Sequence, residues 1–323
     1  MSNNLTTQPD PIASNEPAPR LITIGETMMM VTPALAESLA TAENVRLHPG
    51  GAESNVACHA ADLGIQSAWV SAVGDDILGH RMCRSIRDRG VDTRWVTFDP
   101  AAPTGVYFKD PGHGVLYYRR GSAASRMGPA TVATVPLEGA DMVHLSGITP
   151  ALSSTCAALV DAVFERVTAS GATLSFDVNY RPALWPDGAA APALRELASR
   201  ANIVFVGLDE AQTLWGCTTP DDVRALLPEP ETLVVKDSDV GATEYSSGNS
   251  VFEPAIPTEV VEPVGAGDAF AAGYLAALMR SDAPRERLRA GHQRARLVLL
   301  STSDFAVGAA AAAPSVAPTH PID

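Results

Sequence analysis

Apolar residues in this chain come in short blocks closed by glycine or acidic turns, rather than in one long repeating stripe. Leu21-Ile22-Thr23-Ile24, ended by Gly25-Glu26, is the pattern of a buried strand that opens a fold. An irregular stretch runs from there to Pro49. Residues 56–64 are small and apolar and finish on Gly64, which predicts a helix with a glycine stop. A strand is predicted over 67–73; Gly74-Asp75-Asp76 then leads into a helix over 77–89, stopped at Gly90. Strand, helix, strand, helix in succession implies an α/β fold with a mostly parallel sheet covered by helices on both faces. The rhythm breaks between Trp95 and Arg120. There Gly105 to Lys109 and Val115 to Arg119 read as two β segments around Pro111-Gly112-His113-Gly114, a hairpin outside the main sheet that would form a flap. Strand-like runs return at 142–145, 173–177, 203–206 and 233–235, and the last two helices are predicted at 268–280 and 285–300.

With 323 residues the chain can bury a large core, which favours one big α/β domain with a small appendage over two equal domains. Residues 1–20, rich in Pro, Asn and Ser, are expected to form a disordered tail, and the Ala/Pro-rich residues 309–323 a loose one. The folded body is then 21–308, with a β lid drawn from about 31–49 and 96–120. No apolar run approaches the roughly 20 residues that span a bilayer, and the N-terminus lacks the apolar centre of a signal peptide. The net charge of −14 argues against nucleic acid or an anionic membrane as partner and leaves a small molecule. Cys58, Cys83, Cys156 and Cys217 form no C-x-x-C pair, as expected for buried free thiols in a reducing cytoplasm. An exposed flap edge invites strand pairing, so a homo-oligomer is expected.

In open α/β sheets ligands sit beyond the carboxyl ends of the strands. That rule draws attention to Gly51, Asn55, Arg181, Glu210, Lys236 and the loop Glu262-Pro263-Val264-Gly265-Ala266-Gly267-Asp268-Ala269-Phe270. Two readings of this loop stand side by side. It is a glycine turn with an aspartate capping a helix, or an anion site whose backbone amides face a phosphate while Asp268 takes a proton from an attacking hydroxyl. The other positions have equally plain alternatives. Gly51 fits a tight turn and Asn55 a helix cap; Tyr117 and Arg119 fit an alternating strand; Arg181 fits a Tyr-Arg-Pro turn, and Glu210 an acid stabilising a first helical turn. Neither lysine, Lys109 or Lys236, follows a glycine, so no P-loop exists, and no G-x-G-x-x-G occurs. The seven histidines lack metal-ligand spacing.

Gly50-Gly51-Ala52-Glu53-Ser54-Asn55-Val56-Ala57 and Pro263-Val264-Gly265-Ala266-Gly267-Asp268-Ala269-Phe270-Ala271-Ala272-Gly273-Tyr274 resemble the two signatures of the PfkB, or ribokinase-like, carbohydrate kinases. Three further stretches resemble its 2-keto-3-deoxygluconate kinase branch. They are Tyr117-Tyr118-Arg119-Arg120-Gly121-Ser122-Ala123, His144-Leu145-Ser146-Gly147-Ile148-Thr149-Pro150-Ala151-Leu152, and Asp177-Val178-Asn179-Tyr180-Arg181-Pro182-Ala183-Leu184-Trp185. The resemblance implies a three-layer ribokinase-like sandwich with a β lid, and phosphoryl transfer from ATP with Mg²⁺ to a sugar-acid hydroxyl. It implies Asp268 as base, with Gly265, Ala266 and Gly267 as anion hole. The sugar site would comprise Gly51, Asn55, Tyr107, Tyr117, Arg119, Arg181 and Asp304, and the nucleotide side Lys236, Ser238, Gly241 and His292, with Glu210 reaching Mg²⁺ through water. Arginine suits a sugar acid because its planar fork matches a carboxylate. An exposed aspartate would be a weak base at neutral pH and would act mainly by orienting the hydroxyl.

The chain departs from the family pattern at Gly207 and His292, where asparagine is usual, and at Ser238 and Ser303, where glycine is usual. These positions lie on the nucleotide side or near the C-terminus. Two other functions therefore stand beside the first: a sister kinase of fructokinase or ribokinase type, and a non-catalytic sugar-binding regulator with a decayed ATP site.

Overall fold

The computed structural model describes residues 19–301, apart from 36, 111, 112 and 262; residues 1–18 of the predicted N-terminal tail, the predicted C-terminal tail and Asp304 lie outside the described residues, whereas Arg20 pairs with Asp141. Thirteen strands form two sheets: β1 (Leu21–Ile24), β2 (Met28–Pro33), β3 (Val45–Gly50), β4 (Ser67–Gly74), β5 (Val96–Asp99), β6 (Val106–Asp110), β7 (Gly114–Tyr118), β8 (Met142–Ser146), β9 (Thr173–Asp177), β10 (Ile203–Gly207), β11 (Thr232–Asp237), β12 (Gly241–Ser246) and β13 (Asn249–Pro254). The large sheet has nine strands in the order β13-β12-β11-β10-β9-β8-β1-β4-β5, and the small one has four, β3-β2-β6-β7. From β5 across to β11 every neighbouring pair of the large sheet is parallel. The last two pairings are antiparallel.

Helices α1 (Ala52–Asp62), α2 (Ile77–Arg87), α3 (Ile148–Ala151), α4 (Ser154–Ser170), α5 (Ala190–Arg200), α6 (Leu208–Trp215), α7 (Pro220–Leu226), α8 (Ala266–Met279) and α9 (Pro284–Leu299) complete the three layers. The blocky apolar pattern is explained by burial on both sheet faces. Along β1, Ile22 and Ile24 join the core beneath α4 and α5, whereas Leu21 joins the core shared with α1, α8 and α9. Helix α8 is buried on all sides from Ala269 to Ala277, which is why its sequence shows no polar face. Its small residues are needed for that position. A side chain at Gly273 would meet the carbonyl of Ala290 at 2.5 Å, so α9 packs directly on the α8 backbone.

The predicted flap exists as β6 and β7, joined by β2 and β3 into the small sheet. Its extent differs from the expectation. Val96–Asp99 belongs to the large sheet, because this segment pairs in parallel with β4 and buries Val96 in the core against α2. The small sheet starts instead at Met28 and Val106. Strand β7 lies at its edge, with Leu116 and Tyr118 exposed. The β12 and β13 hairpin was not foreseen. Gly241, expected at the nucleotide, starts β12, where a side chain would strike the carbonyl of Glu253 at 2.5 Å and the ring of Phe252.

Candidate active site

The carboxyl ends of β9, β10 and β11, the start of α1, the small sheet and the N-terminus of α8 enclose a cleft of about 860 Å³. All the candidate residues among those described line it: Gly51, Asn55, Tyr107, Tyr117, Arg119, Arg181, Glu210, Lys236, Ser238, Gly241, Gly265, Ala266, Gly267, Asp268 and His292. Their partners divide the cleft into three parts.

At the centre is the start of α8. Gly265 caps it with φ +84°, a left-handed conformation that costs glycine little, and no side chain caps the helix. The amides of Gly267 and Asp268 therefore have no intrahelical acceptor, whereas that of Ala266 donates to the carbonyl of Pro263 at 3.3 Å, and the helix dipole adds positive potential. Asp268 does not serve as the cap. Its Oδ2 instead accepts a 2.8 Å hydrogen bond from Nδ2 of Asn55, on α1. The carboxylate is only partly exposed, unlike the exposed aspartate expected. Burial pushes its pKa up to about 7; Asp177 adds to this, and Asn55, Arg181 and Lys236 oppose it. Such a group accepts a proton readily near neutral pH. Oδ1 of Asn55 is buried without a hydrogen-bond partner.

Beside Asp268, Nζ of Lys236 lies 2.9 Å from Oδ2 of Asp177 and 3.6 Å from where a side chain at Gly267 would begin. Burial alone would lower the lysine's pKa, but Asp177 and Glu210 hold it above its ordinary value. The Lys236 ammonium therefore stands beside the start of α8. Glu210 is fixed by accepting from the amides of Tyr180 at 2.8 Å and Gly207 at 2.9 Å. Burial raises its pKa despite Lys236. Among the described residues no group of three or more His, Cys, Asp or Glu is arranged to hold a metal ion. Ser238, at the family's glycine position, has φ +42°, which explains why glycine suits that turn. His292 is buried, shares a 3.2 Å contact between Nε2 and the carbonyl of Glu253, and meets the ring of Phe270 edge-on at 5.1 Å. Burial lowers its pKa, so the ring is neutral at pH 7.

Under the lid, Nη1 of Arg119 lies 3.0 Å from Oε2 of Glu26, and its guanidinium stacks 4.5 Å from the Tyr117 ring centre. Tyr107 and Tyr117 face each other at 5.8 Å. Burial raises the pKa of Glu26 more than Arg119 lowers it, and Ser122 donates to its other oxygen at 2.9 Å. Nε of Arg119 has no hydrogen-bond partner. Arg181 is half exposed, bonded to the carbonyl of Tyr180 at 3.0 Å and 3.8 Å from Oε1 of Glu210.

Sequence reasoning passed over Glu26, Asp177 and Glu53. Glu26 directly follows the glycine that closes the first apolar strand, the place where site residues gather, and that position was its signal. Glu53 is fully buried, and its Oε1 accepts from the amide and hydroxyl of Ser146 and from the hydroxyl of Thr149, tying the start of α1 to β8 and α3.

A solved PfkB protein from Polaromonas sp. superposes with a TM-score of 0.81 at 33% identity, covering 86% of this chain and 95% of that one. A 2-dehydro-3-deoxygluconokinase of Thermoproteus tenax is 35% identical over 278 residues, 83% of this chain and 84% of the relative. A 2-dehydro-3-deoxygalactonokinase of Haloferax volcanii is 31% identical over 298 residues, 89% and 93% of the two chains. The profile of the pfkB family carbohydrate kinases matches residues 18–306, so this chain belongs to that family and is a carbohydrate kinase.

Proposed function

We propose that the kinase transfers the γ-phosphoryl group of ATP to the terminal hydroxyl of 2-keto-3-deoxygluconate or a close keto-deoxy sugar acid. The observation that carries the transfer step is the meeting of Asp268, the uncapped amides of α8 and Lys236 at one point of the cleft. Asp268 takes the hydroxyl proton as the oxygen bonds to phosphorus and the bond to the leaving ADP oxygen breaks. The amides of Gly267 and its neighbours, with Lys236, stabilise charge on the transferring group, the main task in phosphoryl transfer. Magnesium normally keeps several waters and binds phosphates plus one or two carboxylates, a role that Asp177 and Glu210 fit. It would supply neutralisation of phosphate charge.

For the acceptor, two relatives are named for keto-deoxy sugar acids. The buried, unpartnered Nε of Arg119 supports that choice, because it needs an acceptor and a carboxylate provides one. The pairing of Arg119 with Glu26 holds the guanidinium in place beneath the small sheet. That sheet would exclude water that otherwise hydrolyses ATP. The edge of β7 is where we place the contact of a homo-oligomer.

A coupled assay for ADP over keto-deoxy acids, fructose and ribose tests the reading, with the highest kcat/KM expected on a keto-deoxy acid. A preference for fructose or ribose rejects it. In the same assay Asp268→Asn should lower turnover by roughly 100-fold or more with sugar binding nearly unchanged; near-normal turnover would remove Asp268 from the role of base.

A further inference from the structure

A second cavity, about 420 Å³, lies between α2 and the small sheet and is lined by Met29, Leu47, His48, Pro49, Arg81, Arg84, Ser85 and Asp88. Its charge is at odds with the rest of the molecule. The chain carries a net −14, yet α2 holds three arginines and no acid. Arg81 and Arg84, in the cavity wall, make no ion pair among the described residues, and Arg46 on β3 makes none either. Many arginines elsewhere are paired with acids, among them Arg166 with Glu138, Arg195 with Glu229, Arg200 with Asp161 and Arg289 with Glu253. Here Asp88 is the one carboxylate in the wall. Half-buried His48 reports the imbalance: burial lowers its pKa first, and Arg46, Arg81 and Arg89 lower it further. Such a field, in a concave site with two forked donors on one helix face, suits an anion that accepts several hydrogen bonds.

The cavity also touches the active-site cleft through neighbouring residues. Met28 lines the cleft and Met29 the cavity; Gly50 lines the cleft and Pro49 the cavity. Gly50 leaves no room for a side chain, because one would overlap the hydroxyl of Tyr107. A shift of β3 at His48 or Pro49 is therefore carried directly to Tyr107 and to Gly51 on the sugar side.

We propose that the cavity between α2 and the strands β2 and β3 binds a phosphate group, free or as a monoester, and that its occupation changes sugar affinity in the cleft. Arg81 and Arg84 would hold the phosphate oxygens, with Ser85 and His48 as further donors. By linkage, the sugar must change phosphate affinity by the same factor.

The test is an NMR titration of the His48 ring in the full-length protein, its resonance assigned by comparison with His48→Gln. Inorganic phosphate and 3-phosphoglycerate are added separately, with the main cleft filled by sugar and a non-hydrolysable ATP analogue. Saturable shifts are expected with a rise in the His48 pKa, since a bound anion offsets its cationic neighbours. A response to inorganic phosphate identifies the free ion as sufficient, and a response only to 3-phosphoglycerate identifies the ester. The double variant Arg81→Ala, Arg84→Ala alters exposed side chains and should weaken binding at least ~10-fold, the loss of one charge-assisted hydrogen bond or more. It should also abolish the effect of the anion on sugar KM while leaving basal turnover unchanged. Absence of saturation by about 20 mM of either compound, a range that still detects weak sites, or equal affinity in the double variant, overturns the site. An anion that binds without moving KM overturns its coupling to the cleft. The titration does not use turnover, so it stands whichever sugar proves to be the substrate.

Discussion

Asp268 should weaken the fold that it serves. An aspartate in the unfolded chain loses its proton near 3.8, whereas in the folded protein burial and Asp177 delay this to about 7. Asn55, Arg181 and Lys236 pull the other way but do not win. The folded state therefore holds the extra proton between these two values, and stability falls as pH rises through that window. The loss is complete above pH 7 and absent below about 4. From 3.8 to about 7, at roughly 1.4 kcal/mol per pH unit, the upper bound is about 4 kcal/mol. Solvent reaches part of the carboxylate, which halves this to about 2 kcal/mol. Asp268→Asn keeps the size and an acceptor for Asn55 but carries no charge. The variant should melt higher than the parent at pH 8, by about 3 °C for a domain of this size, and the difference should shrink toward zero at pH 4. Thermal melts of the two proteins without ligand, at pH 4, 6 and 8, decide the matter. An Asp268→Asn variant that is no more stable at pH 8, or whose gain does not depend on pH, would refute the reasoning and show that the carboxylate is well solvated.

Asn55→Leu removes the hydrogen bond that lowers the Asp268 pKa, so the midpoint of kcat/KM against pH should rise by about one unit; a changed KM with an unmoved midpoint would confine Asn55 to sugar binding. Ser238→Gly relieves a left-handed serine and should raise stability by about 1 kcal/mol in urea, and an unchanged midpoint of unfolding would show the turn to be unstrained. Lys236→Met leaves the carboxylate of Asp177, 4% exposed, without its cation and should cost about 3 kcal/mol along with most of the turnover. A loss below about 1 kcal/mol would mean that the pair behaves as a surface contact.

The large sheet was legible because parallel strands buried on both faces leave unbroken apolar blocks, and because glycines mark where helices stop. The loop at Gly265 was legible in composition, but its meaning depended on neighbours far along the chain. Nothing near Asp268 says that Asn55 will hold it, and nothing near Glu53 says that Ser146 and Thr149 will surround it. Glu53 reads locally as an ordinary acid in a first helical turn, although its three hydrogen bonds come from residues more than 90 positions away. Val96–Asp99 was assigned to the lid because short edge strands carry little pattern of their own; pairing with β4 decided its place. The β12 and β13 hairpin has a usable signal, two β runs around Ser247-Gly248.

The hydrogen bond from Asn55 to Asp268 spans 213 positions of sequence. During synthesis all thirteen described strands and α1 leave the ribosome before Asp268, since among the described residues α8 is followed by α9 alone. A nascent chain therefore carries Asn55 and the small sheet before it has the carboxylate and helix start that complete the cleft. A chain broken before Gly265 would lack the helix that covers one face of the large sheet. The same division marks the region near residue 260 as the place to split this enzyme into two fragments whose activity returns only when they meet.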